Sequence, residues 1–371
     1  MSNILQYMSN PFKFGTLVSE NYFTDREEEF QRLNQILKSE NHLIMIAPRR
    51  YGKTSLVHKV VVESRRPVIW LDLQLITGVS DLASQLLKQV FREYPFEKIK
   101  FMIKNFRIVP NLSVNPQSNN VEIGFQPNFD SFVQLEDVLN LIENLGNDGT
   151  KPIVVLDEFQ EIMGLEKNLD KKLRATIQLH KKVNYVFLGS VESMMKDVFE
   201  KKKSPFYHFG VLFTLKKIPY SDFKLFLDAG FSIYVEDQSV ISNEILAFTQ
   251  CHPYYTQQLA FHVWMRLERG KYNENTIKET IEETILLHDN DYERMWNTLN
   301  RTDKKILIGL AFSFQSPLKE QFNIKNDLNA TSTVFSGLKR LQQNGIINKL
   351  STYEFDDPFF KQWLIKRRNE N

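Results

Sequence analysis

The stretch LIMIAPRRYGKTSL, residues 43–56, constrains this chain more than any other. Leu43, Ile44, Met45 and Ile46 form the kind of short apolar run that a strand buried on both faces requires. A turn with Pro48 and Gly52 follows, then Lys53, Thr54, Ser55 and an amphipathic run. Strand, loop and helix in that order give weight to a G-x-x-x-x-G-K-[ST] pattern. Phosphates need several unpaired N–H groups converging on one point, and a loop entering a helix N-terminus supplies them. The segment Ala47, Pro48, Arg49, Arg50, Tyr51, Gly52, Lys53, Thr54 and Ser55 is therefore the candidate phosphate cradle. In it Gly52 lets the backbone approach, Lys53 reaches the β- and γ-phosphates, and Thr54 ligates Mg²⁺. Ala47 replaces the first glycine, which is tolerable if that position needs no positive φ.

A second segment, KPIVVLDEFQEI at 151–162, ends a parallel-type strand on Asp157 and Glu158. Ligands bind open α/β sheets at the carboxyl ends of the strands. If this strand neighbours the phosphate-loop strand, Asp157 is placed to hold Mg²⁺ through water and Glu158 to polarise an attacking water. The alternative, an acidic helix start, loses its weight once the segment is paired with the phosphate loop. VNYVFLGS is another buried strand, ending at Ser190. Ser190 can touch the γ-phosphate or the water, or it can simply cap the helix that follows.

The remainder is read coarsely. At 371 residues the chain has room for two or three domains. Its net charge of +2 sets up no global field for a polyanion, so a nucleic-acid site must be a local patch. One cysteine, Cys251, excludes an internal disulfide framework and suits a reducing compartment. No apolar run approaches the roughly 20 residues a membrane span needs, and the start lacks a signal-peptide pattern, so the expected location is cytoplasmic. Thr24 or Asp25 can cap a helix with Phe30, Leu33, Ile36 and Leu37 as its buried stripe. Residues 106–128, rich in Pro and Asn between alternating apolar residues, read as an inserted β-hairpin. A helix with a basic face is expected over 165–182, and a fifth core strand over 211–215. Helices dominate from 221, with more helix over 276–300. From 302 three helices, one of them over 318–322, and a small hairpin read as a winged helix-turn-helix.

The order NPFKFG, NYFTDREEEF, APRRYGKTSL, VVLDEFQEI, FLGS, HPYY and a terminal DPFFKQWL resembles the archaeal-type ATPases. These belong to the signal-transducing (STAND) branch of AAA+-related P-loop NTPases and are similar to origin-recognition ATPases. The resemblance spans nearly the whole chain. It implies an α/β fold: a P-loop NTPase core with a five-stranded parallel sheet, a helical lid and a C-terminal winged helix. The expected bounds are 1–217 for the core, 218–299 for the lid and 300–371 for the winged helix. It further implies ATP and Mg²⁺ as cofactors, Phe23 and Arg26 flanking the adenine, Ser190 as the sensor, and Pro253 contacting the nucleotide from the lid.

Two departures stand out. The family usually has Gly two residues before the lid proline, where this chain has Cys251. After SPFY it often has Gly-Arg, a candidate trans-acting finger, where this chain has His208-Phe209. An arginine finger contributes a factor of about 10³ to 10⁵ in turnover, so slow hydrolysis is expected. Arg49 and Arg50 are left open as substitutes for it or as surface charge. The function expected is a slow ATPase, ATP and water to ADP and phosphate, acting as a molecular switch. The rivals are a DNA-binding ATPase and a nucleotide-stabilised scaffold without turnover; self-association or a protein partner stays open. For DNA the recognition-helix candidate offers only Lys339 and Arg340 as cations, both expected to face the groove.

Overall fold

The computed structural model describes residues 9–17, 26–114, 121–125, 129–147, 149–235, 237–312, 316–328, 330–349 and 352–369. The chain divides into two compact units, Arg26–Pro48 with Lys53–Leu215, and Met1–Asp25 with Arg49–Gly52 and Lys216–Asn371.

The first unit is built on a five-stranded parallel sheet in the order β2-β5-β6-β1-β7. These strands are β1 (Leu43–Ile46), β2 (Val68–Asp72), β5 (Ile153–Asp157), β6 (Asn184–Gly189) and β7 (Val211–Thr214). Every residue of β1, β5 and β6 is buried, as central parallel strands covered on both faces demand, whereas the edge strands β2 and β7 are buried only in part. One apolar core runs from Ile44 through Leu86, Val138 and Phe159 to Phe206. The inserted hairpin is present as antiparallel β3 (Asn111–Val114) and β4 (Val121–Gly124).

The topology corrects one premise. β5 does not neighbour β1, because β6 lies between them. The helix expected over 165–182 is also shorter, running Leu169–Ile177, because Asn168 adopts a left-handed conformation (φ 63°) that a continuous helix cannot pass.

The second unit is helical, with a core from Phe12 through Phe223, Trp264 and Leu338 to Leu364. Its helices begin Tyr220–Phe231, Gln238–Thr249, Pro253–Glu268, Thr276–Leu287 and Asp289–Thr298. The helix expected over 276–300 is present as the last two of these, which meet at His288. A winged helix-turn-helix follows: helices Arg301–Phe312, Glu320–Lys325 and Thr331–Gln343, then antiparallel β8 (Ile347–Lys349) and β9 (Tyr353–Phe355), then helix Pro358–Asn369. Its second helix starts at Glu320 rather than 318 because Lys319 is still extended. No described helix is long and apolar enough to cross a membrane.

Candidate nucleotide site

The carboxyl ends of β5 and β6 and the first turn of the helix Lys53–Glu63 bring five expected residues together. The Lys53 ammonium lies 2.9 Å from Glu158 Oε1 and 3.2 Å from Asp157 Oδ1. Thr54 Oγ1 donates to Asp157 Oδ2 at 3.2 Å. Ser190 donates to Glu158 Oε2 from its hydroxyl at 2.7 Å and its backbone N–H at 3.2 Å. The Lys53, Asp157 and Glu158 side chains are 9, 10 and 14% exposed, so these charges interact largely out of bulk water.

β6 ends in Gly189, which packs beside Met195 and Gln160. A Cβ on Gly189 would stand 2.3 Å from Met195 and 2.7 Å from Gln160 Oε1, so any larger residue would have to displace those side chains. Beside it, Gln160 Nε2 donates to Glu158 Oε2 at 2.6 Å. Gln160 is the site residue that the sequence reading missed. Its position in DEFQ was visible, but no spacing rule marks an amide as a carboxylate's partner.

Glu158 is held by the backbone as well. It takes a left-handed conformation (φ 52°) just before the turn Phe159–Glu161. Strain of this kind, about 1–3 kcal/mol, persists only where the surroundings fix it. Here the fully buried Phe159 anchors the turn, its ring edge-on to Phe187 at 4.6 Å. Burial pushes the Glu158 carboxyl up. The Lys53 charge and the hydrogen bonds from Gln160, Ser190 and Lys53 outweigh that and hold it below the usual carboxylate range.

In the phosphate loop Gly52 has φ 84°, a left-handed value that explains the glycine without any close contact. Ala47 is not among the residues with positive φ, so its β-carbon costs nothing. Its N–H donates to the Gly189 carbonyl at 3.3 Å. The N–H groups of Lys53 and Thr54 open a helix and have no intrahelical acceptor. Ser190 caps nothing, since the next helix, Glu192–Phe199, is preceded by Val191 without a side-chain cap.

The other expected residues have contacts of their own. Arg49, Arg50 and Tyr51 group with the helical unit. Arg50 hydrogen-bonds the Tyr255 hydroxyl, and Tyr51 packs edge-on against His252 at 4.9 Å. Pro253 occupies the first turn of the helix Pro253–Glu268, where its missing N–H is harmless. Arg26, not Thr24 or Asp25, precedes the first helix, with φ 86° and an ion pair to Glu29 at 2.7 Å. Phe23, Thr24 and Asp25 lie outside the described residues. The family's two glycine positions are both left-handed here, His208 at φ 54° and Cys251 at φ 57°.

In the winged helix, Val334, Gly337, Leu338 and Leu341 face the core. Arg340 is not free for a groove. It forks onto Asp303, Nε to Oδ2 at 2.7 Å and a terminal nitrogen to Oδ1 at 2.6 Å, and the Asp303 side chain is only 2% exposed. Its partner comes from another helix, which the spacing on its own helix could not reveal.

Among solved structures, a Walker-type ATPase of Pyrococcus abyssi aligns with a TM-score of 0.67 at 19% identity, over 93% of this chain and 96% of that one. The Aeropyrum pernix ORC2 protein, solved as ADPNP-ADP complexes, aligns with a TM-score of 0.53 at 14% identity, over 97% and 100%. At such identities the likeness is one of fold. An uncharacterized protein of Methanocaldococcus jannaschii is 27% identical over 296 residues, covering 78% of this chain and 54% of that protein. The chain thus spans about half the length of this curated relative. Residues 290–366 match a probable winged helix domain. Residues 23–259 match the ATPase domain predominantly from Archaea, and it is to this family that the chain belongs.

Proposed function

We propose that the chain binds ATP with Mg²⁺, hydrolyses it slowly, and works as a switch whose lid and winged helix respond to the nucleotide. One observation carries the reading: a buried lysine ammonium at a helix start, shared by two carboxylates, with a threonine hydroxyl on one of them. Thr54 and Asp157 form a pair of hard oxygen donors 3.2 Å apart, the chemistry Mg²⁺ selects. That set fits the ion, which when bound neutralises phosphate charge.

The chain's own residues do the rest. Lys53 exchanges its carboxylate partners for phosphate oxygens, so the cation is never left bare. Glu158, released from Lys53, accepts a hydrogen bond from water and orients it. Ser190 and Gln160 hold the Glu158 carboxylate in place meanwhile. One feature supports slow turnover. The place of a Gly-Arg finger is taken by His208-Phe209. The tie between Arg340 and Asp303 argues against DNA as the main partner. Phosphate release from Mg²⁺-ATP, slow and abolished by EDTA, is the expected result. Binding without any release over hours would make the chain a scaffold instead.

A further inference from the structure

Arg50 is part of the phosphate loop, yet its interactions run elsewhere. Its guanidinium hydrogen-bonds the hydroxyl of Tyr255. It also lies over two rings, 4.8 Å from the centre of Tyr254 and 5.4 Å from that of Tyr255. Both tyrosines sit in the first turn of the helix Pro253–Glu268, and Tyr255 is only 2% exposed. Arg50 itself takes a left-handed conformation (φ 64°), which a non-glycine residue holds only when its surroundings fix it.

The winged helix adds charge to the same place. Arg50, Tyr255, Tyr292, Asp356 and Asp357 line one cavity of about 370 Å³. Asp357 is fixed there by the Phe359 and Phe360 N–H groups at 2.8 and 3.2 Å and by the Tyr292 hydroxyl at 3.1 Å. Burial lowers the Arg50 pKa, but Tyr255, Tyr254, Asp356 and Asp357 raise it more, so these groups favour the cation where it stands. A planar guanidinium can stack on rings and hydrogen-bond in its plane at once, and a lysine cannot.

We infer that Arg50 is a positioning residue rather than a phosphate ligand: it fastens the loop before Lys53 to Tyr254 and Tyr255 within the acidic setting of Asp356 and Asp357. Through Arg50 the conformation of the phosphate loop depends on the packing of the helix Pro253–Glu268 and the winged helix. The inference rests on the reading of the chain as an ATP-binding switch and gives that switch a residue.

The test titrates mant-ATP with Mg²⁺ into the full chain as wild type, Arg50→Ala, Tyr255→Phe and the double variant, with melting temperatures taken without nucleotide. Tyr255→Phe keeps the ring and removes only the hydroxyl. Each single change is expected to weaken binding about fivefold or more, in the usual range of site-to-site coupling. The double variant is expected to bind no more weakly than Arg50→Ala, and Arg50→Lys to behave as Arg50→Ala. A loss with Arg50→Ala but none with Tyr255→Phe would make Arg50 a phosphate ligand and overturn the inference. Lower melting temperatures with unchanged affinity would overturn it too, leaving a purely structural contact, as would additive losses. Wild-type chain that binds no nucleotide is a different failure, that of the switch reading itself.

Discussion

Lys53 and Arg340 are both cations on helices, both paired with an aspartate, and under the proposed function they play opposite parts. Lys53 shares Asp157 and Glu158, and each acid has other donors, from Thr54 on one side and from Ser190 and Gln160 on the other. If its ammonium moves to a phosphate, neither carboxylate is stranded. Arg340 forks onto Asp303, whose remaining side-chain donor is Asn300 at 2.9 Å. Releasing that guanidinium would leave a 2%-exposed carboxylate short of its main partner, which is costly in the interior. A compact ammonium on a flexible stem can exchange partners, whereas a planar fork is matched to one. A basic residue in a pattern therefore signals binding only when its partners can do without it.

The largest effect that could break this comparison is at Lys53. Lys53→Ala is expected to abolish ATP-dependent thermal stabilisation, which at 100 times Kd is worth about 2.7 kcal/mol in a competent site. A thermal-shift titration that finds the variant stabilised like wild type would show that Lys53 is as structural as Arg340.

Glu158→Gln comes next. The amide cannot take a proton from water, so turnover should fall about 10²- to 10⁴-fold while ATP affinity stays within a few-fold. Asp157→Ala should instead remove the Mg²⁺-dependent part of binding. Phosphate release at the wild-type rate from Glu158→Gln would move the water-orienting role to another group.

Arg340→Ala is a smaller and different loss. We expect about 1–3 kcal/mol of destabilisation, for a charged hydrogen-bond pair half open to solvent on the arginine side. If the chain binds duplex DNA at all, this variant should leave the salt slope unchanged, and only Lys339→Ala should flatten it, by about 0.9. A slope that flattens with Arg340→Ala would mean that the fork opens on DNA.

What could be read from the sequence follows the same division. Lys53, Thr54, Asp157, Glu158 and Ser190 were legible because each ends or begins an element at the carboxyl edge of one sheet, where backbone direction alone brings them together. That β6 lies between β5 and β1 was not legible, since strand order depends on long-range pairing. Nor was the partner of Arg50, which lies 205 residues away, or that of Arg340, 37 residues away on another helix. The winged helix showed its apolar face at Val334, Leu338 and Leu341, but a polar face does not reveal which of its charges are already taken.

The smallest predicted effect concerns the two family glycine positions, one in each unit. His208 and Cys251 hold φ values of 54° and 57°, where a β-carbon costs about 1–2 kcal/mol. Glycine relieves that strain but gives back part of the gain through the freedom of the unfolded chain, about 0.4–1 kcal/mol. His208 is exposed and, among the described residues, stacks on its neighbour Tyr207 alone, at 3.9 Å, so little packing is lost with its ring. His208→Gly should therefore raise unfolding stability by about 1 kcal/mol in a urea titration. Cys251 is half-buried and packs on the helical core, so removing its thiol cancels more of the relief. Cys251→Gly should gain less than His208→Gly. If both lose stability, the left-handed turns owe their shape to these side chains, and their departure from glycine is itself structural.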